Sequence, residues 1–309
     1  MLENVKLTAQ KNILKIITGL IVILLIVAVI SFFCVIFNEV YFNTSGVIDP
    51  ELASKFGDFF GGYVGVMFSI LSTLLLIYTI IDQFIERQKR WATDNFYRML
   101  EFHNDMVKQL SVAHINTTKP ERSNGRRAFV VFKIQIHYLL RLIKNLNKRE
   151  KWNLKKDQRL CIVYMIFYYG IDTHWIEFLQ DKIKEDIDFN IILNGVKIIE
   201  KEKKLKLGRT NQTSLSAYFR NMYNLIKLVD NDKYLSKQEK KSLITIYRAQ
   251  LSNPELYVLF FNLRSGFGKK WNDKGYVETY ELLKNIPKHY CDGYNPEDYY
   301  PKIKFEYND

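Results

Sequence analysis

Cysteine is scarce in this chain and widely scattered. Among 309 residues there are three: Cys34 lies in an apolar run, and Cys161 and Cys291 are far apart, so neither a disulfide framework nor a zinc site is implied. Histidine is scarce too, with five in the chain and no His-Glu-x-x-His pair, so no metal site is read and no cofactor is implied. A glycine-rich phosphate loop and a Gly-x-Ser-x-Gly elbow are also missing, which leaves the commonest signatures of nucleotide and ester hydrolysis without residues to carry them. Glycine and proline disappear entirely between Gly65 and Pro120, so nothing local breaks a helix there.

Charge is missing in two places. "IITGLIVILLIVAVISFFCVIF", Ile16 to Phe37, and "FFGGYVGVMFSILSTLLLIYTII", Phe59 to Ile81, hold no charged residue. At about 1.5 Å per residue each is long enough for a hydrocarbon core of roughly 30 Å, and a core helix of a soluble protein rarely stays uncharged for so long. The sequence therefore predicts two transmembrane helices, with the lipid bilayer as a partner. The first run is too long for a signal-peptide core, and no small-residue cleavage pattern follows it. Lys6, Lys11 and Lys15 precede the first span and Arg87, Lys89 and Arg90 follow the second, whereas the segment between holds Glu39, Asp49, Glu51 and Asp58 against Lys55. By the positive-inside rule both termini are cytoplasmic and the chain is a multi-pass protein of a cell membrane.

Gly57, Gly61, Gly65, Ser69 and Thr73 recur every four residues in and before the second span. Such a row of small side chains lets another helix approach closely, either the first span in a hairpin or a second copy in a homo-oligomer. Beyond the span, "DQFIERQKRWATDNFYRMLEFHNDMVKQL" continues without a breaker, and about fifty residues of helix would make a rod of about 75 Å. Its apolar residues Ile81, Phe84, Trp91, Phe96, Met99, Phe102 and Met106 suit a coiled-coil stalk or a face packed on the following domain.

"AHINTTKPERSNGRR", Ala113 to Arg127, reads as a loop. "AFVVFKIQIHYLLRLIKNLN" begins with β-branched residues but has the length of a helix, and "LCIVYMIFYYG" reads as a buried helix stopped by Gly170. Residues 187–204 stay undecided, since Asn194-Gly195 between apolar runs signals a hairpin while the Lys/Glu pattern after it suits a helix. "SLSAYFRNMYNLIKLVDN" and "SKQEKKSLITIYRAQL" have helical spacing, the second opening with Ser236 and Glu239 in a capping-box pattern. The expected fold is mainly α. A transmembrane hairpin occupies residues 1–82, a juxtamembrane helix or stalk 83–115, and a cytoplasmic helical domain 116–309.

In "IYRAQLSNPELYVLFFN", Ile246 to Asn262, Pro254 ends one helix, and Ser252 or Asn253 can cap the next with Glu255 near its positive end. Arg248 and Gln250 lie in the last turn before this corner, where an Arg can hold carbonyls, pair with a carboxylate or bind a phosphate.

The stretches "FGDFFGGYVGVMFSILSTLLLIYTI", "NFYRMLEFHNDMV", "SAYFRNMYNLIKLV" and "IYRAQLSNPELYVLFFN" occur in this order, and together they resemble the bacterial phage abortive infection family described as AbiC-like. The residues that carry the resemblance are His103, Asn104, Tyr218, Phe219, Arg220, Tyr223, Arg248, Gln250, Leu251, Ser252, Asn253 and Leu256. It implies a membrane-bound protein of bacterial antiphage defence that stops phage multiplication at the cost of the infected cell; the expected membrane is the inner one, and a phage component or nucleic acid is the expected trigger. It brings no catalytic residue with it.

One spacing points to chemistry. "RMLEFH", Arg98 to His103, has the Arg-x4-His pattern of ribonucleases of the helical HEPN superfamily, where the two side chains act as cation and general base at a scissile phosphate. Three readings follow. The protein is an effector that disrupts the membrane after its cytoplasmic domain senses infection, a membrane-tethered ribonuclease using Arg98 and His103, or a non-enzymatic scaffold that recruits another effector. The net charge of +12 suits a partner rich in phosphate, whether nucleic acid or anionic lipid, or else a solvated lysine-rich surface.

Overall fold

The computed structural model describes residues 2–37, 49–113, 121–171, 173–183 and 187–308. Most of the segment expected outside the membrane, residues 38–48, and the centre of the expected loop, residues 114–120, lie outside the described residues. Among the described residues the protein is 75% helical. It divides into two compact units, Met1–Thr93 with Asp232–Ser236, and Asp94–Asn231 with Lys237–Asp309.

In the first unit, α1 (Leu2–Ile36) is followed by α2 (Pro50–Phe59), a π-helical turn (Phe60–Val64) and the first part of α3 (Gly65–Gln109), whose residues from Asp94 on belong to the second unit. α1 and the start of α3 are long and apolar enough to cross a bilayer, and very few of their side chains are buried, large apolar ones such as Ile23, Ile30, Leu76 and Ile80 being exposed. A soluble core helix with this composition would be covered; these are not. Phe32 of α1 meets Phe60 edge-on at a centroid distance of 6.1 Å, and Phe60 also lies 4.7 Å from Phe56.

The π-turn divides the row of small residues. Gly57 belongs to α2 and Gly61 to the wider turn, so only Gly65, Ser69 and Thr73 share one α-helical row. The hydroxyls of that row donate to their own helix, Ser69 Oγ to the Gly65 carbonyl at 3.0 Å and Thr73 Oγ1 to the Ser69 carbonyl at 2.9 Å. A Cβ placed on Gly57 or Gly61 would meet nothing within 4 Å.

α3 runs unbroken for 45 residues, about 68 Å at the usual rise, as the missing Gly and Pro predict. Of the apolar residues picked out along it, Phe96 is buried whereas Phe84, Trp91 and Phe102 are exposed. The face that packs in the second unit is Phe96, Leu100, His103 and Val107, at the four- and three-residue spacing of one helix stripe.

Past α3, strand β1 (Ser111–Ala113) pairs antiparallel with β2 (Arg122–Asn124), Val112 opposite Ser123. The edges of the expected loop thus close a short ladder, which the polar Arg-Ser-Asn sequence of β2 did not announce. Gly125 turns the chain at φ +61 and donates to the Leu110 carbonyl at 2.8 Å, feeding α4 (Arg127–Arg149).

α4 and α5 (Lys156–Tyr169) pack together, and Phe129, Phe132, Ile136, Leu139 and Ile143 of α4 are buried at helical spacing. Gly170 ends α5 at φ +78, so close to the chain at 208–210 that a Cβ would lie 2.5 Å from the Thr210 nitrogen. α6 (Thr173–Lys182) precedes α7 (Phe189–Lys203), which resolves the ambiguous segment as a helix capped by Asp188. Its Asn-Gly pair marks a close crossing, because a Cβ on Gly195 would lie 2.7 Å from Leu142 Cδ1 of α4.

α8 (Gln212–Asn231) and α9 (Lys237–Arg248) are the two expected helices, and α10 (Asn253–Arg264) follows the corner at Pro254. Every residue of α10 from Glu255 to Leu263 is buried, as its nearly continuous apolar sequence requires. The chain ends in the short helices α11 (Lys269–Asp273), α12 (Tyr276–Thr279) and α13 (Pro296–Tyr299) and a 3-10 turn at Glu306–Asn308.

Candidate functional site

Ser252, Pro254 and Glu255 build the corner locally. Ser252 is the N-cap residue of α10, its backbone N–H donates to Glu255 Oε2 at 2.8 Å and its hydroxyl donates to the same oxygen at 2.6 Å. Glu255 is 1% exposed, and a buried carboxylate needs further partners. It has them: the Tyr218 hydroxyl donates to Oε1 at 3.4 Å, and Arg126, from the turn before α4, brings a guanidinium nitrogen to 3.9 Å of Oε2. Arg126 also donates to the Gln250 carbonyl, tying the turn to the corner.

Tyr218 also packs against His103, which is 2% exposed and has its ring between Tyr218 and Tyr247 at centroid distances of 4.9 and 5.2 Å. Its Nε2 is 3.1 Å from the Tyr247 hydroxyl, and its Nδ1 is buried without a hydrogen-bond partner. Burial, with the positive charge of Arg126 as the smaller cause, lowers the His103 pKa to about 4, so the ring is neutral near pH 7. Burial and the Glu255 charge hold Tyr218 and Tyr247 well above the ordinary phenol range. The cluster is a protonated-phenol, neutral-imidazole and carboxylate network closed off from water.

Asn104, next to His103, donates from Nδ2 to Gln250 Oε1 at 2.8 Å. Arg248, one turn back, is buried and donates from one guanidinium nitrogen to the carbonyls of Tyr280 and Glu281 at 3.3 and 3.2 Å, with the Glu281 carboxylate at 3.9 Å. Burial lowers the pKa of Arg248 from its ordinary value, opposed by the charges of Glu281 and Glu306. The guanidinium therefore binds the chain itself, and the opening between helices at Pro254 is a braced corner.

Of the residues singled out in the sequence, the fold brings His103, Asn104, Tyr218, Gln250 and Ser252 into one polar seam. Arg248 braces the adjoining turn, Asn253 is the exposed first residue of α10, and Phe219, Arg220 and Tyr223 turn to another side of α8. Arg98 is exposed while His103 is buried, and no hydrogen bond joins them among the described residues. Five positions along one helix is a rotation of about 140°, which separates the two side chains rather than stacking them. Sequence reasoning passed over Arg126 and Tyr247 as members of the seam and read Glu255 only as a helix-end charge. The Ser-x-x-Glu spacing was the signal for Glu255, whereas Arg126 sits in a polar segment with no such pattern.

On the outer side of α8 a groove of about 510 Å3 opens against α11, lined by Arg220, Tyr223, Lys227, Phe267, Lys270 and Trp271 among others. A second groove, about 550 Å3, runs between α4 and α7 past Tyr138, Arg141, Arg149 and Ile198.

Residues 210–290 match the model of a family described as "Putative phage abortive infection protein". The matched segment runs from the start of α8 past the Arg248 corner and α12, and contains the two stretches "SAYFRNMYNLIKLV" and "IYRAQLSNPELYVLFFN", so the resemblance to the phage abortive infection family stands on them. His103 and Asn104 lie outside it, yet both contact residues inside it. No curated protein and no solved structure matches the chain.

Proposed function

We propose that this protein is a membrane-anchored effector of bacterial phage defence. In this reading α1 and the first part of α3 cross the inner membrane with both termini cytoplasmic, the second unit responds to infection, and the spans then disrupt the membrane. The observation that carries the proposal is the uncovered apolar surface of α1 and α3 in a chain whose 210–290 segment matches an abortive infection family. Lipid covers such helices at little polar cost, because backbone groups in a helix interior bond along the helix and the Ser69 and Thr73 hydroxyls are satisfied there too.

Two further features fit. α3 is one continuous helix whose start is the span and whose last turns carry His103 and Asn104, so a rearrangement at the polar seam acts on the helix that enters the bilayer. Gly57 and Gly61, in α2 and the π-turn that lead into the second span, leave open space beside them, which gives a second copy room to approach in a homo-oligomer.

The test follows membrane potential and dye entry in infected cells that carry the full chain. Depolarisation before phage lysis, lost in Gly61→Leu with protein levels unchanged, is the expected result. A membrane that keeps its potential while phage growth stops would rule out disruption by the spans.

A further inference from the structure

We infer that the groove between α8 and α11 binds a nucleoside phosphate. The inference is independent of how the spans act, since it rests on the groove's own chemistry. Three cations line it, Arg220 and Lys227 from α8 and Lys270 from α11, and no Asp or Glu is among the lining residues. None of the three cations forms an ion pair among the described residues, and Asp230, on the same helix, is taken up by the Tyr280 hydroxyl at 2.7 Å. Arg220 and Lys227 are seven residues apart, two helical turns, and so point to the same side about 10 Å from each other along the axis. Cations gathered without a paired carboxylate in the groove repel one another, and a polyanion relieves that repulsion; the planar, multiply donating Arg220 is suited to phosphate oxygens.

The rest of the lining explains why a base accompanies the phosphate. Tyr223 and Phe267 are half-buried in the groove wall, and each is braced by another ring: Trp271 lies edge-on to Tyr223 at 5.4 Å, and Tyr168 is 4.6 Å from Phe267. A ring held in place by its neighbours offers a stacking surface with little entropy left to lose. Asn224, exposed at the groove, supplies an amide with both donor and acceptor for a base edge. The volume, about 510 Å3, is that of a small-ligand site and accommodates a mononucleotide. Apart from Tyr168, every lining residue belongs to the segment that matches the family model.

The experiment is calorimetric titration of the full-length protein in nonionic detergent with the four common ribonucleoside triphosphates, and separately with sodium triphosphate and with adenosine. At least one nucleotide is expected to bind saturably at one site per chain, and roughly tenfold more tightly than triphosphate or adenosine alone, since charge and stacking both contribute. Arg220→Glu and Lys270→Glu, both at exposed positions, are each expected to weaken it by about tenfold, with the thermal midpoint unchanged. Absence of saturable binding by all four nucleotides up to millimolar concentration would overturn the inference. So would triphosphate binding as tightly as the nucleotides, which would mean a phosphate or headgroup site without a base, or nucleotide binding that neither variant weakens, which would place the ligand elsewhere.

Discussion

His103 Nε2 lies 3.1 Å from the hydroxyl of Tyr247, joining α3 to α9 across 144 positions of sequence. The contact is closed to water, and His103 Nδ1 has no partner, so a second proton on the ring would be a buried, uncompensated charge close to the Arg126 guanidinium.

A pH dependence follows. The His103 pKa is about 4 in the folded protein against about 6.5 for an ordinary histidine, so the unfolded chain takes up the proton first as pH falls. The folded state keeps its full stability above about pH 6.5 and loses it progressively toward pH 4, by about 2 kcal/mol on going from pH 7 to pH 5. Thermal midpoints measured over that range should fall for the wild type. In His103→Phe, which cannot titrate, this part of the slope should be gone.

Glu255 is the electrostatic centre of the seam. Glu255→Gln keeps the shape but turns an amide N–H₂ toward donors, either the Ser252 nitrogen or the Tyr218 hydroxyl, and leaves Arg126 without its carboxylate. The expected loss is about 1–3 kcal/mol in a denaturant titration. Ser252→Ala removes one hydroxyl and should cost about 1 kcal/mol. Equal costs for the two variants would mean that Glu255 acts only as a cap.

The polar seam also bears on Arg98. Because Arg98 is exposed and His103 faces Tyr247 from the interior, the Arg-x4-His spacing places no cation beside the imidazole. Arg98→Ala is expected to change stability by no more than about 0.5 kcal/mol, as for an isolated surface position, and to leave phage protection unchanged. RNA from infected cells should show the same integrity in the wild type and the variant. Loss of protection together with loss of RNA cleavage in Arg98→Ala would restore the ribonuclease reading.

How far the fold was legible in the sequence depended on how local each cause was. α3 needed only the absence of Gly and Pro from Gly65 to Pro120, and the corner needed only Ser252, Pro254 and Glu255, all within one turn. The two apolar helices were equally plain, since an uncharged run long enough for a bilayer is a composition, not a contact. Asn194-Gly195 misled because the glycine answers to Leu142, on a different helix, and no window around residue 195 contains that neighbour. The seam was half visible for the same reason. His103, Tyr218 and Gln250 were marked by the family resemblance, but the partners that define His103 chemically, Tyr247 and Arg126, reach it only through tertiary packing.

Two glycines separate backbone conformation from crowding. Gly170 and Gly266 both have positive φ, +78 and +86, and each follows the end of a helix. A Cβ on Gly266 would meet nothing within 4 Å, so Gly266→Ala bears only the cost of the left-handed conformation, about 1 kcal/mol. At Gly170 the same Cβ would come to 2.5 Å of the Thr210 nitrogen and 2.7 Å of the Gly208 carbonyl oxygen, both backbone atoms that cannot swing aside. That stretch is held in turn by Asn211, whose amide donates to the Phe167 carbonyl at 2.8 Å and to Gln135 Oε1 at 3.0 Å. Gly170→Ala is therefore expected to lose at least about 3 kcal/mol, conformational and overpacking costs together, when the two variants are compared by denaturant unfolding. A difference of less than about 1 kcal/mol between them would mean that the 208–210 segment moves away from α5 at little cost, and that the close approach at Gly170 does not fix the end of that helix.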